Sequence, residues 1–102
     1  MRKAAVFVNQ VNAGIFEELE NGKYQFTYSS DYYGPPVSLT MPLAKIQYEF
    51  DKFPPFFDGL LPEGVLLEAL LRKSKLDKND FFGQLLRVGH DVVGVVTIEE
   101  LK

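Results

Sequence analysis

Glu20-Asn21-Gly22-Lys23-Tyr24-Gln25-Phe26-Thr27-Tyr28 decides how the first half of the chain is read. Asn21-Gly22 is the pair that a type I′ turn demands, because both central residues of that turn need positive φ. After it, Tyr24, Phe26 and Tyr28 alternate with Gln25 and Thr27, the period-2 signature of a strand with one aromatic face. The pair therefore reads as the turn of an antiparallel hairpin. Upstream, Ala4 to Val8 is a compact apolar run, and Val11, Ala13 and Ile15 alternate with Asn12 and Gly14. Downstream, Gly34-Pro35-Pro36 breaks the chain and forces an extended path. Val37, Leu39 and Met41 then alternate with Ser38 and Thr40 up to Pro42, which predicts a further strand. Tyr48 to Phe50 predicts a short one.

The second half changes period. Phe53, Phe56 and Phe57 lie among Pro54, Pro55, Gly59, Pro62 and Gly64. A helix is expected to begin near Glu63, where Leu66, Leu67, Leu70 and Leu71 form one apolar stripe expected to face the core. Glu68 and Arg72 are spaced i, i+4 on it, and Arg72, Lys73 and Lys75 suit its negative C-terminal end. In a second helix Phe81, Phe82, Leu85 and Leu86 repeat the stripe. Asp77 or Asn79 is expected to cap it, Asp80 to add negative charge to its first turn, and Gly89 to take the C′ position. Val92 to Ile98 is apolar on both faces and predicts a buried last strand. The expected fold is α+β: a small antiparallel sheet with two to three packed helices, in one domain over residues 1–102.

At 102 residues with 46% hydrophobic content the chain is long enough for one core, and too short for a Rossmann pair, a TIM barrel or a whole kinase. With no cysteine and one histidine, disulfides, thiolate metal sites and cysteine nucleophiles are excluded. The formal charge of −3 argues against a domain that grips nucleic acid by itself. No stretch approaches the ~20 apolar residues of a membrane span. The start, Met1 to Val8, is too short an apolar run for a signal peptide, so the expected compartment is the cytoplasm.

Candidate chemistry is sparse. His90-Asp91 is the one pair resembling an acid–base couple, but adjacent side chains diverge and no nucleophile is fixed beside them, so a loop leading to the last strand is the preferred reading. Glu17, Glu18 and Glu20 read as solvated surface. Arg72, Lys73, Lys75 and Lys78 place four of the eleven positive charges within seven residues, and read as a helix terminus or as a contact for phosphate or an acidic partner. Phe53-Pro54-Pro55-Phe56-Phe57-Asp58-Gly59 suits a fold corner and also a rigid recognition element. On a helix of about 100° per residue, Val65 points away from the leucine stripe. No catalytic, cofactor or metal residue is expected.

Phe56-Phe57-Asp58-Gly59-Leu60-Leu61-Pro62-Glu63-Gly64 resembles the aromatic-Leu-Leu-Pro-Glu segment in the N-terminal subdomain of HipA-type toxin kinases. Val37-Ser38-Leu39-Thr40-Met41-Pro42 resembles that family's Leu-Ser-Leu-x-x-Pro strand. Asp80-Phe81, Leu85-Leu86, Gly89-His90-Asp91 and Gly94 keep the family's order, as do Val8-Asn9, Gly14, Phe26 and Tyr28. The resemblance covers nearly the whole chain. No kinase catalytic loop, metal-binding Asp-Phe-Gly or phosphate-binding lysine follows, and Phe57-Asp58-Gly59 has the wrong order to stand in for one.

The resemblance implies a non-catalytic role like that of the free-standing HipS-type antitoxins of tripartite HipB–HipS–HipT systems. Its implied partners are a HipT-like serine/threonine kinase, which it binds and inhibits, and a HipB-like helix-turn-helix protein that carries the DNA contact. The expected kinase-binding surface is Pro62, Glu63, Gly64, Val65 and Glu68. A completing or scaffolding subunit of a HipA-type kinase is the alternative, and a small acid–base enzyme using His90 and Asp91 a remote one.

Overall fold

The computed structural model describes residues 2–91 and 94–101. Five strands form one sheet in the order β4-β3-β2-β1-β5, built from β1 (Lys3–Val8), β2 (Val11–Glu18), β3 (Tyr24–Tyr28), β4 (Gln47–Phe50) and β5 (Val96–Leu101). Every neighbouring pair is antiparallel. Three helices, α1 (Pro55–Asp58), α2 (Gly64–Ser74) and α3 (Phe81–Val88), lie between β4 and β5 in the chain. This is the expected α+β architecture.

The hairpin forms as the turn chemistry requires. Asn21 and Gly22 both have positive φ (64° and 74°), and the Lys23 amide donates back to the Glu20 carbonyl. A second tight turn of this kind, not anticipated, joins β1 to β2 through Asn9 and Gln10, at φ 51° and 68°. Asn is a usual carrier of that conformation and Gln is not, so only half of the signal is present in the sequence.

Beyond that turn the alternation expected for β2 does not hold. The pairing with β1 slips between Val6 and Phe7, opposite Gly14 and Asn12, which leaves Ala13 as the extra residue of a bulge. Ala13 and Phe16 face the core while Val11 and Ile15 are exposed.

Phe16 is the centre of the core. Its ring stacks on Phe57 of α1 (4.0 Å between centroids, 9° between planes) and on Phe82 of α3 (5.2 Å), and meets Phe53 edge-on. Burial of each such ring contributes about 1.5–3 kcal/mol, and each well-placed aromatic pair about 0.5–1.5 kcal/mol more. The Pro-rich corner is thus a fold element: buried Pro54 precedes α1, Pro55 occupies its first turn, and Phe57 is held in the core.

Several expectations are corrected. Residues 37–41 form no strand. Val37 and Met41 are both buried and Leu39, between them, is 95% exposed. The cause is Tyr28, whose hydroxyl accepts from the Val37 amide and donates to the Met41 carbonyl, closing the segment into a turn. Asp80, not Asp77 or Asn79, caps α3, its carboxylate accepting from the Gly83 amide. Asp77 instead accepts from the Asn79 amide in the preceding loop.

Gly89 ends α3 in right-handed backbone (φ −58°) rather than as a left-handed C′ residue. It is needed for close approach, since a Cβ there would lie 2.3 Å from Ile98 Cβ. The last strand begins at Val96, later than expected, and lies at the sheet edge with only Val96 and Ile98 buried. Val92 and Val93 of the expected strand fall outside the described residues. Glu18 is no solvated surface charge either: with Asp80 it receives the Arg2 guanidinium, at 2.8 Å to each carboxylate.

Candidate partner-binding face

The segment from Phe57 to Leu67 has a fixed base and an exposed tip. Behind Phe57, the Leu60 amide donates to the Phe57 carbonyl and the Leu61 amide to the Asp58 carbonyl, so the chain leaves α1 in tight turns. Leu60 and Leu61 pack half-buried on the core, and Pro62 is half-buried beyond them. Glu63 is extended (φ −129°) and Gly64 is left-handed (φ +59°), a conformation that a residue with a Cβ adopts only under strain. That bend begins α2, in which no residue is buried and Leu67, Leu70 and Leu71 are half-buried.

The expected surface residues are placed together by this geometry, with Glu63, Gly64, Val65 and Glu68 exposed at the start of α2 and Pro62 half-buried beneath them. Val65 is 80% exposed, as its position opposite the stripe predicts. The stripe itself is not core. Leu66 is 72% exposed, α2 contains no buried residue, and none of the half-buried side chains packed on the core comes from it. Leu66 is therefore a surface residue that the helical period had assigned inward. Only the tertiary arrangement reveals it, because periodicity names the apolar side of a helix and not whether its own chain covers it.

Electrostatics divide α2 lengthwise. Glu63 and Glu68 flank the apolar tip, while Arg72, Lys73 and Lys75, with Lys78 beyond, occupy the far end, all exposed. The Glu68–Arg72 spacing yields no ion pair; the ion pairs among the described residues engage Arg2, Lys3 and Lys23 instead. The loop carrying Lys78 is fixed from below by Gln84, a buried side chain whose amide donates to the Asp77 and Lys78 carbonyls.

The acid–base reading gains nothing. His90 sits exposed in a short 3-10 turn, Gly89–Asp91, beside an open groove of about 460 Å³ that Arg2, Arg87 and Glu100 also line. No hydroxyl side chain is among the groove's described lining residues. Arg2 is committed to Glu18 and Asp80, and its hydrogen bonds hold both carboxyls below their ordinary range. The Asp91 side chain lies outside the description. No metal-holding group of His, Asp and Glu occurs among the described residues, and none of the helices is long and apolar enough to cross a membrane.

Comparison with known proteins agrees with the fold. The model of the HipA N-terminal domain family matches residues 4–99. A relative from Haemophilus influenzae, described only as an uncharacterized protein, is 33% identical over 102 residues, covering all of this chain and 95% of its own. Among solved structures, the N-terminal domain of HipA toxin superposes with a TM-score of 0.79 at 29% identity, covering 100% of this chain and 94% of that one.

Proposed function

This chain belongs to the HipA N-terminal domain family, and we propose that within it the chain acts as a cytoplasmic antitoxin that binds and inhibits a HipT-like serine/threonine kinase. The HipA N-terminal domain is the non-catalytic part of the HipA kinase, and no catalytic family is indicated for this chain. The observation that carries the reading is the exposed apolar pair Val65-Leu66 on a base made rigid by Pro54, Pro55 and the stacked Phe57. A preformed tip loses little entropy on docking, and an apolar anchor that fills a pocket dominates the energy of an interface of about 800 Å² per partner.

In this reading Pro62, Glu63, Gly64, Val65 and Glu68 meet the kinase. The tip enters its cleft and excludes substrate or nucleotide. A HipB-like helix-turn-helix protein in the same complex carries the DNA contact, in keeping with the formal charge of −3 on this chain. The Haemophilus influenzae relative, matched over 95% of its length, is itself built on this domain, which fits the reading.

The test is a phosphorylation assay of the kinase titrated with the purified chain. Activity should fall to a floor near one equivalent. Val65→Asp should weaken inhibition by roughly thirtyfold or more without shifting the melting temperature; full inhibition by that variant removes the contact assignment. The second reading, a completing subunit of the kinase, draws on the solved relative being a domain of a toxin. It predicts the opposite sign, with activity rising on addition of the chain.

A further inference from the structure

The chain's charge is segregated to a degree that its net value hides. Residues 72–78 carry four positive charges against one carboxylate, so against a net −3 the rest of the chain sums to −6. Arg72, Lys73, Lys75 and Lys78 are all exposed, and the ion pairs among the described residues involve none of them. Asp77, the one carboxylate in the stretch, is turned to the Asn79 amide.

A helix terminus attracts some of this charge, since Arg72 and Lys73 lie in the last turn of α2. That account does not reach Lys78, which lies in the loop beyond, nor does it explain Lys75. Lys75 ends α2 in the left-handed conformation (φ 56°, ψ 39°), where glycine is the unstrained residue. A lysine stands where backbone energy alone favours glycine. Below it, buried Gln84 fixes the loop that presents Lys78. The basic end is therefore held in place, as the apolar end is.

We propose that Arg72, Lys73, Lys75 and Lys78 form a second, electrostatic contact that fits an acidic surface on the same protein partner that receives Val65. The inference rests on the inhibitory-docking reading above and adds the chemistry of the partner to it. Ten residues of α-helix separate Val65 from Lys75, so the acidic surface lies about 15 Å from the apolar pocket. An acidic protein surface fits better than a nucleic acid. Four cations neutralise too few phosphates for appreciable affinity at physiological salt, and the −6 carried elsewhere repels a polyanion that extends past the patch. An acidic patch of helix dimensions meets only the cations. The opposed charges make the chain a dipole that orients encounter, so the contact acts chiefly on association rate.

The experiment measures association and dissociation of the intact chain with the HipT-like kinase of its own system, at low salt and at about 0.5 M salt. It compares wild type, Val65→Asp, the triple charge reversal Lys73→Glu/Lys75→Glu/Lys78→Glu, and Lys75→Gly. The triple variant should associate roughly ten- to a hundredfold more slowly at low salt, with little change in dissociation, and the difference should shrink at high salt. Lys75→Gly should melt no lower than wild type, because it relieves a left-handed residue, while still associating more slowly; unchanged association would mark Lys75 as merely structural and overturn its assignment. If Val65→Asp loses binding and the triple variant associates as wild type does, the inhibitory reading stands and this inference falls. If wild type fails to bind the kinase, both fall. If the triple variant instead abolishes binding to a duplex DNA probe and leaves kinase association intact, the cations belong to phosphate and the acidic-protein assignment is overturned.

Discussion

Leu66, Leu67, Leu70 and Leu71 of α2 repeat the spacing of Phe81, Phe82, Leu85 and Leu86 of α3, yet α3 buries four residues and α2 none. The difference arises at the helix ends. α3 is held at its N-terminus by Asp80, which caps the Gly83 amide and receives Arg2 from the end of the sheet, and at its C-terminus by Gly89 pressed on Ile98. α2 begins at left-handed Gly64 with no side-chain cap and ends at left-handed Lys75. One helix is tied to the sheet at both ends, and the other has neither tie and packs no side chain on the core cluster. An apolar stripe states that a helix has a side to hide; its end contacts decide whether its own fold or a partner does the hiding.

The contrast breaks most sharply by truncating the rings beneath it. Phe57→Ala, which removes the ring stacked on Phe16, should cost about 3–5 kcal/mol in urea unfolding, and Phe82→Ala a similar amount. Gly89→Ala comes next, at about 1–3 kcal/mol, because its new methyl must displace Ile98 and lift α3 from β5. Asp80→Ala should cost about 1 kcal/mol for the lost cap and somewhat more for the released Arg2, read by the same denaturation.

The Arg2 node also sets a pH dependence. Hydrogen bonds from Arg2 lower the folded pKa of both Glu18 and Asp80, so around those values the unfolded chain binds more protons than the folded one. Their contribution is complete above the unfolded carboxylate range, near about 4, and is lost as pH falls through the lowered folded values. Melting temperature should drop from about pH 5 downward, and Asp80→Asn, which keeps an acceptor for Gly83, should make that drop shallower. A slope identical to wild type would remove Asp80 from the account. The smallest effect on stability is expected in α2. Leu66→Ala should stay within about 0.5 kcal/mol of wild type, although the α3 stripe contains Phe82, which is fully buried against Phe16. A loss above about 2 kcal/mol for Leu66→Ala would place α2 in the core and dissolve the comparison.

Much of the architecture was legible locally. Asn21-Gly22 specified its turn, the aromatic alternation its strand, and the two helical stripes their helices, because each depends on residues within a few positions of one another. The candidate tip was legible in part. Val65 followed from angular position and the surrounding residues from family resemblance, whereas the exposure of Leu66 had no local sign.

What the sequence determined by itself was the class of most elements, and that no thiol and only one histidine are there to carry chemistry. Tertiary structure alone decided that residues 37–41 coil around the Tyr28 hydroxyl, that Glu18 and Asp80 share Arg2 across the fold, and that β2 bulges at Ala13. The physical reason is reach. Periodicity and turn preference are set by neighbours along the chain, while these outcomes depend on the partner strand or on side chains that the fold brings together, 9 positions apart for Val37–Tyr28 and 78 for Arg2–Asp80.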